Sequence, residues 1–208
     1  MYALVESGNI TRYFNYPKGF TLGDNQYSAD VFTKWTTAER QAIGIYEVTF
    51  DNTNKKDTKW YINTDQTYTY DSVAGTVTAA YGTATAKPHA DTLWTSQDDT
   101  DGLIPDDKDV GDVKVEGLKT QLIRTLKQQV AGILADTDWY VTRKSEKSTA
   151  IPSNISTHRD AVRTKQSTME TSITNAADTA ALETLYTYTE QDDGTTTRPL
   201  GELPELES

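Results

Sequence analysis

Two apolar stripes at helical spacing, separated by a proline-marked break, constrain this chain more than any other feature. The first stripe is Val115, Leu118, Leu122, Leu126, Val130, Ile133 and Leu134. Steps of three and four residues align these side chains on one side of an α-helix, so a helix is predicted from about Val113 to Leu134. Ile123 widens the stripe, while Lys114, Lys119, Arg124 and Lys127 take the wet side. Gly117 and Gly132 lie within this predicted helix, each costing about 1 kcal/mol against alanine, so packing has to hold it. The second stripe, Ile155, Val162, Met169 and Ile173, is thinner and follows Ala150-Ile151-Pro152-Ser153. Pro152 fixes φ, and Ser153 or Asn154 can cap the helix it opens. Two such helices with a short connection are expected to pack antiparallel.

Between the stripes, the side chains of Asp136-Thr137-Asp138 bond nearby backbone N–H groups, ending one helix or capping a short next one. Trp139 and Tyr140 follow at once. A tryptophan there covers the end of the helix pair and seeks a partner for its indole N–H. A leucine-rich helix end, Thr-Asp-Trp, and a proline-opened helix bearing a ring-Arg pair and a later Arg form one pattern. Here it is Leu134, Thr137, Asp138, Trp139, Pro152, His158, Arg159 and Arg163. This segment resembles the tail assembly chaperone-like domain of tailed bacteriophages, which also occurs in fibre-associated tail proteins. His158 stands where the family pattern has tyrosine. The opening Tyr2-Ala3-Leu4-Val5-Glu6, followed by a small residue and glycine, resembles the start of many marine phage virion proteins.

The resemblance implies a non-enzymatic structural component of a virion tail (baseplate, tail fibre or fibre attachment), acting through protein–protein contacts and without a cofactor. Its partners would be other tail proteins. Because tails are rotationally symmetric, copies of the chain would also meet, as a trimer or a ring multiple. The location implied is the virion tail, after synthesis in the host cytoplasm. The alternative is a tail fibre assembly chaperone that is absent from the mature particle. An enzyme, such as a glycan hydrolase on a tail spike, is a third class; such spikes usually have long repetitive β-structure, of which the sequence gives no sign.

The N-terminal half reads differently. Tyr2 to Val5 and Ile10 to Phe14 are predicted to pair as a hairpin across Ser7-Gly8-Asn9. Thr36 and Glu39 have capping-box spacing and start a short helix that Gly44 should end. Trp35 and Ile43 can clasp its ends. Ile45–Phe50, Lys59–Ile62, Thr67–Tyr70 and Thr76–Tyr81 are β-prone through aromatic and branched residues. The expected fold class is therefore α+β: residues 1–95 form a small antiparallel-sheet domain with Tyr and Thr on one face. An acidic linker (96–112), an α-helical hairpin or bundle (113–188) and an extended polar tail (189–208) follow. A last helix is predicted from Asp178 to Tyr186. Leu200, Leu203 and Leu206 recur every third residue in the tail, which is expected to be solvated, with docking on a neighbour as the alternative.

Composition limits the chemistry. There is no cysteine, which excludes disulfides, thiolate metal sites and cysteine catalysis. The net charge of -11 makes nucleic acid and anionic membranes poor partners. The opening MYALVESGNI lacks the basic region of a signal peptide, and no stretch has the length of apolar residues that a membrane span needs. His158-Arg159-Asp160 has no nucleophile elbow beside it, and His89 has no second histidine at metal spacing. Gln97, Asp99, Asp101 and Gly102 approximate the start of an EF-hand loop, but its closing bidentate position is Lys108, so a solvated acidic loop is expected. Arg143, Lys144, Lys147, Arg159, Arg163 and Lys165 are candidates for a basic patch whose partner is acid on another protein or on this chain's own linker. The contact residues this reading singles out are Leu122, Leu126, Trp139, Tyr140 and Val162, each of which would otherwise be ordinary intramolecular core.

Overall fold

A computed structural model describes residues 1–206; Glu207 and Ser208, the last two residues of the expected tail, lie outside the described residues. The fold is α+β and divides into two compact units, residues 1–85 and 86–208.

In the first unit, β1 (Tyr2–Glu6) and β2 (Asn9–Phe14) form the expected antiparallel hairpin. A second, short hairpin joins β3 (Phe20–Leu22) and β4 (Asn25–Tyr27). Then come α1 (Asp30–Thr33) and α2 (Thr37–Ala42). The capping box read from Thr36 and Glu39 is present in both directions. The Glu39 carboxyl lies below its ordinary range because the Thr36 N–H and hydroxyl both donate to it. Gly44 has φ +79°, and a Cβ there would run into the Val5 carbonyl, so glycine is required where the chain turns from α2 into β5 (Ile45–Asp51). The two-residue stretches β6 (Tyr61–Ile62) and β9 (Thr85–Ala86) lie outside the main sheet, and β6 is all that is strand of the predicted 59–62 segment.

The main sheet runs in the order β2-β1-β5-β8-β7, with β7 at Gln66–Asp71 and β8 at Thr76–Tyr81. Three of its pairings are antiparallel as expected, but β5 and β8 run parallel. The chain between them crosses over through residues 52–65 and the β7 strand, so local pattern alone could not give this pairing. Residue alternation also separates Tyr from Thr, which the sequence reading placed on one face. Tyr68 and Tyr70 are half-buried beside Val77 and Ala79, whereas Thr67 and Thr69 are exposed. The Tyr13 and Tyr68 rings meet at 4.8 Å, bringing the two edge strands towards each other. On the opposite face, Leu4, Phe14 and Ile45 pack with Phe20, Val31 and Phe32 under the short helices, with Trp35 and Ile43 against the cluster.

The second unit opens with β10 (Thr92–Leu93), α3 (Ser96–Thr100) and β11 (Val113–Val115), where β10 and β11 pair antiparallel. Residues 96–112 are therefore not a linker: they are the body of a flap closed by that ladder, with a Thr95–Asp98 capping box and an Asp98–Lys114 ion pair of 2.5 Å. The long helix α4 spans Leu118–Ala135, starting later than the predicted Val113. Gly117 is its N-cap rather than an interior residue, so the helix-propensity cost assigned to it does not arise. A Cβ at Gly117 would overlap the Ala90 backbone. That close approach lets the carbonyls of Pro88 and His89 accept from the N–H groups of Leu118 and Lys119, while Asp91 accepts from Gly117 N–H and Thr120 Oγ1.

After α4 come α5 (Asp138–Lys147), α6 (Ser153–Asn175) and α7 (Thr179–Tyr186), the last capped by Asp178. Helices α4 and α6 are antiparallel, as the paired positions show. Lys119 Nζ donates to the Thr174 carbonyl near one end, and Arg159 reaches the Leu134 carbonyl at the other. Both predicted stripes supply this seam: Leu118, Leu126 and Val130 are buried from α4, and Ile155, Val162, Met169 and Ile173 from α6. The tail is not extended. Strands β12 (Thr189–Glu190) and β13 (Thr196–Thr197) form a hairpin, and Leu200 then returns to a buried seat in the same unit. There its N–H donates to the Leu185 carbonyl, and its own carbonyl accepts from Lys165 Nζ.

Candidate functional site

Four of the eight residues behind the phage-tail resemblance, Leu134, Thr137, Asp138 and Arg159, converge on one point, the C-terminal end of α4. Helix carbonyls there lack intrahelical donors. Arg159, buried on α6, supplies them from across the seam. Its guanidinium donates to the Leu134 carbonyl at 2.8 Å, to Thr137 Oγ1 at 2.6 Å and to an Asp138 carboxylate oxygen at 2.8 Å. Thr137 is itself buried, and its hydroxyl donates to the Leu134 carbonyl at 3.0 Å. One side chain thus ties the end of α4, the start of α5 and the middle of the opposing helix. Arg159, a candidate for the basic patch by sequence, is buried in the helix seam and not on the surface. A burying i, i+3 and i+4 context (Ile155, Val162 and the neighbouring His158) was the available signal.

The five proposed contact residues divide. Leu126 and Val162 are 3% and 0% exposed, so they belong to the intramolecular seam and offer nothing to a partner. Leu122 is half-buried on the same stripe. Trp139 and Tyr140 are different. Trp139 does not cover the helix pair: it is 50% exposed on α5, a helix with no buried residue. Its ring lies 3.8 Å from that of Tyr140, and the Arg143 guanidinium sits 4.7 Å from the first ring and 5.3 Å from the second. Such cation–π contacts pre-order a flat, amphipathic surface.

The predicted basic patch breaks up as well. Arg159 is buried in the clamp, Arg163 pairs with Asp160, and Lys165 is held by the Leu200 carbonyl. Arg143, Lys144 and Lys147 remain on α5. The acidic segment folds into hydrogen bonds of its own, with Gln97 Nε2 donating to Asp101. Asp98 is held down to about 2, first by the Lys114 ammonium and then by Thr95.

A groove of about 750 Å³ runs between α4, α6 and the returning tail, lined by Ile133, Asp136, His158, Met169, Leu203 and Leu206 among others. On its rim Arg198 bridges Glu202 at 2.7 Å, and Tyr188 donates to the same carboxylate. His158 opens onto this groove from α6, with no serine, threonine or carboxylate hydrogen-bonded to it among the described residues. No three His, Asp or Glu side chains gather as metal ligands among the described residues. No helix among them is long and apolar enough to cross a membrane.

Comparison with known protein families, curated proteins and solved structures finds no match to this chain.

Proposed function

We propose that this protein is a non-enzymatic structural component of a tailed-phage virion tail, in the baseplate, a tail fibre or a fibre attachment, and that it works by joining proteins. The observation that carries this reading is the disposition of apolar surface in the second unit. A helical seam is locked from within by Arg159, while a preformed aromatic–basic face on α5 is left open. Contiguous exposed apolar surface rimmed by charge is a mark of protein contact. Four of the residues that resemble the tail assembly chaperone-like domain, Leu134, Thr137, Asp138 and Arg159, form the clamp at the start of α5, and a fifth, Trp139, is on the open face, which links the resemblance to the surface. Other tail proteins are the partners this reading names.

The same clamp favours a second reading, because assembly chaperones also carry that pattern: a fibre chaperone that leaves before the particle is complete. Quantitative mass spectrometry of purified virions separates the two. Stoichiometric peptides of this chain support the component. Abundant chain in the lysate but none in particles overturns it in favour of the chaperone.

A further inference from the structure

Apolar side chains left exposed in the second unit gather mainly in two places. One is the flap, where Leu93, Leu103, Val110, Val113 and Val115 are all exposed. The other is α5, where Trp139 is exposed beside the half-buried Tyr140, while the exposed Val141 lies on the far side of the helix. The two have opposite charge. Between Asp98 and Asp112 the flap has seven aspartates and one lysine, so its sign is strongly negative. Asp98 is tied to Lys114, but no ion pair reaches Asp106, Asp107 or Asp109 among the described residues.

At about 100° per residue, Trp139, Arg143, Lys147, Tyr140 and Lys144 fall within an arc of about 140° on α5, and neither acid of the helix, Asp138 or Glu146, falls inside it. None of the three cations in that arc has a carboxylate within ion-pair distance among the described residues. The Nε of Arg143 is buried against the aromatic pair with no hydrogen-bond partner among the described residues.

These poles sit at opposite ends of α4: β11 leads into its N-terminus, and α5 follows its C-terminus. Eighteen helical residues at about 1.5 Å each make α4 roughly 27 Å long, against a screening length of about 10 Å at ordinary ionic strength. Within one copy no ion pair joins the two poles among the described residues. Setting α5 against α5, or flap against flap, would oppose like charges.

We propose that the second unit binds another copy of this chain head to tail, the α5 face of one copy receiving the Asp106–Asp109 flap of the next. The flap's exposed valines and leucines would cover Trp139, and its aspartates would face Arg143, Lys144 and Lys147. A contact of this kind is heterologous, so it propagates and closes only as a ring or extends as a filament. The proposal rests on reading the chain as an assembly component, and names its neighbour as itself.

The test is sedimentation velocity and native mass spectrometry of the full chain, up to about 100 µM, in about 0.05 M and about 0.5 M salt. Concentration-dependent oligomers at low salt, weakened at least tenfold at high salt, are expected. Arg143→Glu with Lys147→Glu, or Asp106→Lys with Asp109→Lys, should each leave monomers of unchanged circular dichroism. Trp139→Ala should weaken association without altering charge. An equimolar mixture of the two charge-reversed proteins should associate again, at least as a heterodimer, since the unaltered flap of one meets the unaltered α5 of the other and the two reversed poles are themselves opposite in charge. A wild-type chain that stays monomeric throughout, oligomers indifferent to either charge reversal, or a mixture in which no heterodimer forms would each overturn the proposal. Particles that contain the chain, alongside a purified chain that does not self-associate, would sink this inference and leave the tail reading standing.

Discussion

Replacing Arg159 by methionine tests whether the clamp holds the helical unit together. Methionine keeps most of the packed stem and removes the guanidinium, which is buried with the rest of the side chain. Thr137 Oγ1 is left short of a donor, at about 1.5 kcal/mol for a bond from a charged group, while the Leu134 carbonyl loses one donor but keeps the Thr137 hydroxyl and N–H, at about 1 kcal/mol. The Asp138 carboxylate contributes less, under about 1 kcal/mol, because that side chain is 61% exposed and solvent screens the pair. Releasing a buried charge offsets part of the loss. The expected cost is about 2–3 kcal/mol, or a fall of about 5–10 °C in the helical transition. Urea denaturation followed by far-ultraviolet circular dichroism reads it directly. Thr137→Val should cost about 1 kcal/mol, and Asp138→Asn less than that. The reasoning is refuted if Arg159→Met lies within about 0.5 kcal/mol of wild type, or if Asp138→Asn costs as much as Arg159→Met.

Three further outcomes follow from the same structure. Gly117→Ala should destabilise the second unit by about 1–3 kcal/mol, since the new methyl meets the Ala90 backbone; an unchanged thermal midpoint would show that this approach is looser than described. Leu200→Ala should cost about 2–4 kcal/mol and free the returning tail, so limited proteolysis should then cut within residues 189–206 under conditions that spare the wild type. The Asp98 carboxyl is depressed, so the stability it lends the flap is complete above its unfolded value near 4 and is lost as pH falls through about 2. An NMR titration of that carboxyl with a midpoint near 4 would contradict the Lys114 bridge.

Much of the local structure was legible because it depends on neighbours in sequence. The Thr36–Glu39 box, the β1–β2 hairpin and the four buried α6 positions all follow from short-range spacing. What escaped depends on distant contacts. Val115 fits the helical stripe by its distance from Leu118, yet it pairs with Thr92 in a ladder, and only the approach of Ala90 reveals why Gly117 starts the helix. The parallel β5–β8 pairing is likewise invisible to a local reading. The tail hairpin was within reach: Asp193-Gly194 between β-prone threonines is a turn signal that the polar composition of the segment obscured. Of the candidate site, Trp139 and Tyr140 emerged on the surface, while Leu126 and Val162 were claimed by the seam because a stripe reports burial without saying what covers it.

We infer that α5 and the flap exist to be covered by protein. A reconstruction of the assembled particle at side-chain resolution tests it most directly. The prediction is density for this chain in the tail with Trp139 and Arg143 buried against a neighbouring protein. Particles in which the chain is present and both surfaces face solvent on every copy would contradict it.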